Sequence, residues 1–233
     1  MEPSAASETN ARILDVAERL FMERGYEGTS TRMVTTEAKV NLAAVNYHFG
    51  SKEALMQAVL RRRLAILNQE RLRVLDEAEA AANGSPLKPS QIVDGFFGTL
   101  LRMAEDESKG GHTFQRLIGR TLTEPATFIR TFLAEEYADV MDRYKAALFK
   151  ALPDVPKAEI VWRFHFMLGA TSYAIAGTDA LQLVTDLQIA EDEGTQSQKL
   201  LPRLMSFLLG GLRAPLPQFQ NNSEPAAGGS SQS

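Results

Sequence analysis

Val40-Asn41-Leu42-Ala43-Ala44-Val45-Asn46-Tyr47-His48-Phe49-Gly50-Ser51-Lys52-Glu53-Ala54-Leu55 is the stretch on which the reading of this chain turns. Asn41 precedes an apolar run as an N-cap does, and Gly50 follows it as a helix-ending glycine does. The spacing therefore predicts a short helix over Leu42–Phe49. Val45 and Phe49 lie four residues apart, so they share one face, which is expected to point at a core. Ser51 caps a second helix that begins at Lys52.

Upstream, Ile13, Leu14, Ala17, Leu20 and Phe21 form one apolar stripe, and Gly25 is a natural stop. A short helix fits Thr31 to Ala38, with Ser30 as its N-cap. Two short helices around a tight turn, braced by the first, have the size of a unit whose outer face enters a B-DNA major groove. Ala43 and Ala44 are small enough to let backbone approach base edges. Asn46 offers a donor and an acceptor suited to adenine. Tyr47 and His48 can hydrogen-bond phosphate, and Lys52 can pair with phosphate beside the positive end of its helix.

Downstream the pattern stays helical, and the fold class is all-α. The helix opening at Lys52 carries Leu55, Met56, Val59, Leu60, Leu64 and Leu67. It can run to about Ala82, before Asn83-Gly84-Ser85-Pro86, a span of roughly 45 Å. Further helices are expected at about Gln91 to Glu105 (capped by Ser90), His112 to Leu122, Pro125 to Leu152, Pro156 to Ala176 and Gln198 to Leu212. This divides the chain into a flexible N-terminus (1–7), a helix-turn-helix domain (8–55), a ligand-binding and dimerisation domain (56–213) and a disordered tail (214–233) rich in Pro, Gln, Asn, Gly and Ser.

Composition removes several function classes. The 233 residues include no cysteine, so thiolate metal sites and cysteine nucleophiles are excluded, and the three histidines share no metal-ligand spacing. No metal and no cofactor are expected. No phosphate-cradling glycine loop or hydrolase elbow is present, so no enzyme is expected. A polar N-terminus and the lack of any long apolar run make a cytoplasmic protein with no membrane partner the expectation. The net charge is −4, but residues 8–65 hold nine basic and seven acidic side chains. The small basic excess lies at the front end, where phosphate contact would occur.

The quoted stretch closely resembles the DNA-binding signature of TetR-family regulators: turn valine, small residues, aromatic-His-Phe, then Ser-Lys-Glu and leucine. Ala17, Leu20, Phe21, Gly25, Tyr26 and Thr29-Ser30-Thr31 match the family's first helix and its lead into the second. The resemblance runs over about residues 10 to 60. It implies that Ser30, Thr31 and Arg32 set the second helix on the DNA backbone. Asn41, Leu42, Ala43, Ala44 and Asn46 would then lie at base edges, with Tyr47, His48 and Lys52 on phosphates. Two departures stand out. Lys39 replaces the family's usual turn glycine, where a left-handed conformation costs up to about 1 kcal/mol and the lysine can add a phosphate contact. Asn46 replaces a residue that is often aromatic. Arg61, Arg62 and Arg63 read as a solvated face before they read as DNA contacts.

Eight of the twelve phenylalanines fall between Phe96 and Phe166. A packed core accounts for any single one. The resemblance implies a ligand cavity in this region, for which Phe96, Leu100, Met103, Phe114, Leu117, Phe128, Trp162, Phe166 and Tyr173 are the candidate lining. Arg116, Arg120, Arg163 and His165 are candidates for a polar ligand end. Trp162, Phe166, Gly169 and Tyr173 also form a second stripe on a helix already greasy on its other side, as does the segment Leu200 to Leu212. Such helices need two burial surfaces, and the resemblance supplies a second copy as the other. The expected partners are double-stranded DNA with a palindromic operator, the chain itself as a homodimer, and a small hydrophobic or amphipathic effector. Within the family the stretch from Val40 to Phe49 looks most like branches regulating fatty-acid metabolism, so a fatty acid or acyl thioester is the first expectation. Ligand-independent regulation, an architectural role and activation remain open.

Overall fold

The computed structural model describes residues 5–123, 127–176 and 196–218, and every regular element among them is helical. α1 (Ala5–Arg24), α2 (Thr31–Ala38) and α3 (Leu42–Phe49) form the N-terminal unit, and α4 (Lys52–Ala81) leads out of it. Then come α5 (Pro89–Val93), a π-turn over Asp94–Gly98, α6 (Thr99–Met103) and α7 (Gly111–Thr123). α8 (Thr127–Ala151), α9 (Lys157–Ile175) and α10 (Gln196–Leu212) complete the bundle.

The caps form as their residue types dictate. Ser30 Oγ accepts from the Met33 amide at 3.2 Å, Asn41 Oδ1 from Ala44 at 2.8 Å, and Ser51 Oγ from Ala54 at 3.1 Å. Each bond satisfies an amide that the first helical turn cannot, and is worth about 1 kcal/mol.

Three boundaries differ from the sequence reading. α1 begins at Ala5, so residues 5–7 are helical where a flexible lead was expected. Lys88, not Ser90, is the N-cap of α5. Pro89 opens that helix, and Gln91 Oε1 accepts from the Lys88 amide at 3.0 Å. The single helix expected from Gln91 to Glu105 ends at Met103 and is widened by the π-turn. Apolar periodicity reports spacing near 3.6 and is blind to one turn of i→i+5 bonding. Residues 214–218 are exposed and non-helical; the rest of the expected tail and the start expected at Pro125 lie outside the described residues.

One continuous apolar core runs from Ile13 to Leu212. Leu55, Val59, Leu60, Leu64 and Leu67 of α4 are fully buried and serve both ends of the molecule. α7 packs on α1 on one side and on α9 on the other. Its close approach to α9 needs Gly119, where a Cβ would sit 2.8 Å from both the Ala176 nitrogen and Ile175 Cγ1.

Candidate functional site

The outer face of α3 is free. Val45 is buried and Phe49 packs against the core, while Asn41, Leu42, Ala43, Asn46 and Tyr47 are exposed, Tyr47 to 86%. Ala44 and His48 are half-buried at the edge of that face. On α2, Arg32 is exposed and Thr31 partly so, while Val34 and Ala38 turn inward. The turn between the two helices is made by Lys39 at φ 51°, ψ 48°, a left-handed conformation, with its side chain in solvent. Thr29 anchors the lead into α2 by donating to the Gly25 carbonyl at 2.8 Å and lying 3.1 Å from that of Leu20.

Three of the expected DNA contacts have structural duties as well, Ser30 as the cap of α2 among them. The Asn41 carbonyl oxygen is spent on the α3 cap, leaving its amide nitrogen for a partner. Lys52 Nζ lies 3.1 Å from the Tyr26 carbonyl and 4.0 Å above the Tyr26 ring centroid. It thus ties the start of α4 to the turn after α1. Arg61 is exposed, as a solvated face requires, while Arg62 and Arg63 are partly buried against α1. Arg61 pairs with Glu136 of α8, Arg62 with Asp15 and Glu18, and Arg63 with Glu18. Glu18 is only 4% exposed, so its two arginines lock α1 onto α4.

Behind this unit a cavity of about 190 Å³, partly open to solvent, lies between α4, the π-turn, α6, α7, α8 and α9. Its wall is largely apolar, with Phe96, Phe97, Leu100, Leu133, Met141 and Ile175 prominent. Of the nine residues expected to line a cavity, Phe96 and Leu100 do. Met103, Phe114 and Leu117 are instead filled core, and Phe128 is half-buried with its ring 4.9 Å from that of Tyr26. Trp162, Phe166 and Tyr173 are between 55% and 64% exposed on the outside of α9. The helix turns 100° per residue, so α9 lines the cavity with Leu168, Thr171, Ser172 and Ile175, and its aromatics point away.

The arginines and the histidine expected to hold a polar ligand end do not line this cavity. Arg116 and His165 are exposed. Arg163 is buried against Glu159 and donates to the Leu212 carbonyl at 2.6 Å. Arg120 Nη1 donates to the Met22 carbonyl at 2.9 Å and lies 3.3 Å from that of Glu23, at the C-terminal end of α1.

The cation that does line it is Arg71, 2% exposed, which residue-type reasoning passed over. A signal was present: Leu60, Leu64, Leu67, Arg71 and Leu75 continue one buried stripe of α4 at spacings of three and four, and the arginine sits inside it. Its Nε donates to the Phe96 carbonyl at 2.9 Å, its Nη1 reaches Asn68 Oδ1 at 3.5 Å, and its guanidinium carbon stacks 3.8 Å from the Phe96 ring centroid. Burial pushes the guanidinium below its ordinary pKa, opposed by the nearby Tyr137.

The described geometry has clear counterparts among known proteins. Residues 13–59 match the family model described as bacterial regulatory proteins, tetR family, and residues 94–211 match the one described as tetracyclin repressor-like, C-terminal domain. An HTH-type transcriptional repressor of Mycobacterium tuberculosis is 45% identical over 58 residues, 25% of this chain and 31% of that one. The HTH-type nicotine-responsive transcriptional repressor HdnoR of Paenarthrobacter nicotinovorans is 38% identical over 68 residues, 29% of this chain and 35% of its own length. The chain thus spans about a third of the length of these curated relatives. In fold it is similar to the regulator FadR of Bacillus subtilis, solved with stearoyl-CoA (TM-score 0.58, 12% identity, 86% of this chain and 98% of that one). It is also similar to the ketosteroid regulator KstR2 of Mycobacterium tuberculosis (TM-score 0.56, 17% identity, 91% and 96%).

Proposed function

Because the chain belongs to the TetR family of bacterial regulators, we propose that it is a sequence-specific DNA-binding repressor, released from a palindromic operator when a small hydrophobic or amphipathic ligand fills its cavity. The observation that carries this reading is the exposed outer face of α3, borne on helices whose inner faces share one core with the cavity walls. Asn41, Leu42, Ala43, Ala44 and Asn46 meet base edges in the major groove. Ser30, Thr31, Arg32, Lys39, Tyr47, His48 and Lys52 hold phosphates around it.

A second copy covers the outside of α9 and α10. Trp162, Phe166, Tyr173 and Phe207 are each more than half exposed, and Gly169, Gly210 and Gly211 leave open space beside them. Apolar surface of this kind in a folded protein marks an interaction face. A two-fold dimer sets its recognition helices about 34 Å apart, one turn of DNA, which is the geometry of a palindrome. The ligand acts by binding one dimer geometry better than the other. A fatty acid or acyl thioester suits an apolar cavity, and the FadR neighbour solved with stearoyl-CoA supports that class. A reader of bacterial chromosomal DNA works in the cytoplasm.

Selection of bound sequences from a random duplex pool tests the reading, run with the full chain in the presence and absence of octanoate. An enriched palindrome that is lost with ligand is expected. An unenriched pool would overturn DNA recognition, and an enrichment indifferent to every acyl ligand would overturn induction. Sedimentation at micromolar concentration should give a dimer that Phe166→Glu dissociates. A monomeric wild-type chain would remove the proposed interface.

A further inference from the structure

Arg71 is a charge buried without a counter-charge. Among the described residues it has no carboxylate partner, and only neutral groups meet its guanidinium: the Phe96 carbonyl, Asn68 Oδ1 and the Tyr137 side chain. A guanidinium stays protonated in proteins, and burying one without an anion is costly. Something holds it there. The π-turn brings the Phe96 carbonyl and ring onto it, and Tyr144 donates to the Arg71 carbonyl at 2.8 Å from the other side. Gly95 gives the tyrosine its place, since a Cβ there would sit 3.0 Å from Tyr144 Oη and push it aside. π-turns within helices recur at functional sites for this reason: they redirect a carbonyl out of the helix ladder.

A second polar group on the same cavity is unsatisfied. Thr171 Oγ1 is buried and has no hydrogen-bond partner, whereas its neighbour Ser172 donates to the Leu168 carbonyl at 2.7 Å. Buried polar groups are nearly always paired, so an unpaired hydroxyl and an uncompensated guanidinium on one apolar cavity call for a common partner. Tyr137 stands beside them, its ring centroid 5.6 Å from the Arg71 guanidinium carbon.

We propose that the cavity is a carboxylate site: Arg71 takes the carboxylate of a small amphipathic acid, Thr171 donates to it, and the apolar tail lies along Leu100, Leu133, Met141 and Ile175. The size of the ligand follows from the volume. The cavity, about 190 Å³, exceeds the ~150 Å³ that accepts benzene and falls short of the ~300 Å³ at which drug-sized pockets begin. That fits a free acid of medium chain length or a single-ring aromatic acid. An acyl thioester carries no carboxylate at that end of its chain for Arg71 to pair with. The proposal rests on the effector reading above and narrows it from any amphipathic ligand to a free monocarboxylic acid.

Calorimetric titration of the full chain, without DNA, tests this with octanoate, octanamide and octanoyl-coenzyme A. Octanoate is expected to bind at least about tenfold more tightly than the neutral amide, because charge-assisted pairs are roughly twice as strong as neutral ones. Arg71→Met should abolish that preference by lowering octanoate's affinity far more than the amide's, and Thr171→Val should weaken octanoate severalfold without disturbing the fold. Equal affinity for acid and amide, octanoate binding indifferent to both substitutions, or tighter binding of the thioester would each overturn it. Because the ligand series uses the wild-type chain, a failure of Arg71→Met to fold does not blunt the test. If octanoate binds through Arg71 yet leaves DNA occupancy unchanged, the carboxylate site stands and induction falls. If the amide releases DNA as well as the acid does, induction stands and the carboxylate site falls.

Discussion

Arg120 Nη1 donates to the carbonyl of Met22 over 2.9 Å, joining the helix that closes one side of the cavity to the last turn of the first helix of the DNA-binding unit. Leu122 on the same helix lines the cavity, two residues from that bond. Free carbonyls at a helix C-terminus carry partial negative charge, so a guanidinium placed there both satisfies and attracts them. A ligand that displaces α7 therefore pulls on α1 directly.

Arg120→Gln is the variant that isolates this link. Ligand affinity measured without DNA should stay within about twofold, stability should fall by about 1 kcal/mol for the lost hydrogen bond, and the ligand concentration needed to release DNA should rise. Unchanged release in a gel-shift titration would place the coupling elsewhere.

Glu18 anchors the same unit to α4. Both Arg62 and Arg63 pair with it, and it is almost fully buried. Glu18→Gln leaves Arg63 without its counter-charge and Arg62 with Asp15 alone, and is expected to lower stability by about 3 kcal/mol, read from urea unfolding. A loss below ~1 kcal/mol would mean that the pair behaves as a surface bridge. Arg61→Ala, which removes the pair with Glu136 and the contact with the Phe132 ring, should leave the salt dependence of DNA binding unchanged.

Lys39 holds a left-handed backbone that costs an L-residue energy and glycine almost none. Lys39→Gly is expected to raise stability by about 0.5 to 1 kcal/mol while weakening DNA binding through the lost positive charge. A less stable glycine variant would show that the lysine side chain contributes more to the fold than its backbone strain removes.

Asn46 and Lys52 should separate cleanly. Asn46 is exposed, so Asn46→Ala ought to leave the unfolding free energy within about 0.5 kcal/mol and relax preference at one base position in a selection experiment. Lys52→Ala removes both the bond to the Tyr26 carbonyl and the contact with its ring, and is expected to cost about 1 kcal/mol. It should also reduce the salt slope of DNA binding by about one. Lost stability with an unaltered slope would assign Lys52 wholly to the fold.

Local features of the fold were legible because they are encoded locally. Ser30, Asn41 and Ser51 cap their helices through bonds to residues three positions on, and Val45 turns inward because of its spacing from Phe49. Lys39 announced its left-handed turn by standing where glycine is usual. Trp162, Phe166 and Tyr173 were ambiguous for the opposite reason. Two apolar stripes on one helix say that both faces are buried, but not which faces the cavity and which a partner. Arg71 was overlooked because interest in an arginine usually begins with a partner nearby in sequence, and its partner carbonyl lies twenty-five residues away.

The two short helices with their caps and turn were thus determined by the sequence alone, since those bonds span one to four residues and leave few alternatives. The tertiary structure decided where the cavity lies, which cation it holds and how it reaches the DNA-binding unit. These depend on Phe96 meeting Arg71, on Arg120 meeting Met22, and on α9 being turned to bring Thr171 inward and Phe166 outward. Each is a long-range contact, and long-range contacts are set by how whole helices pack against one another rather than by the residues on either side.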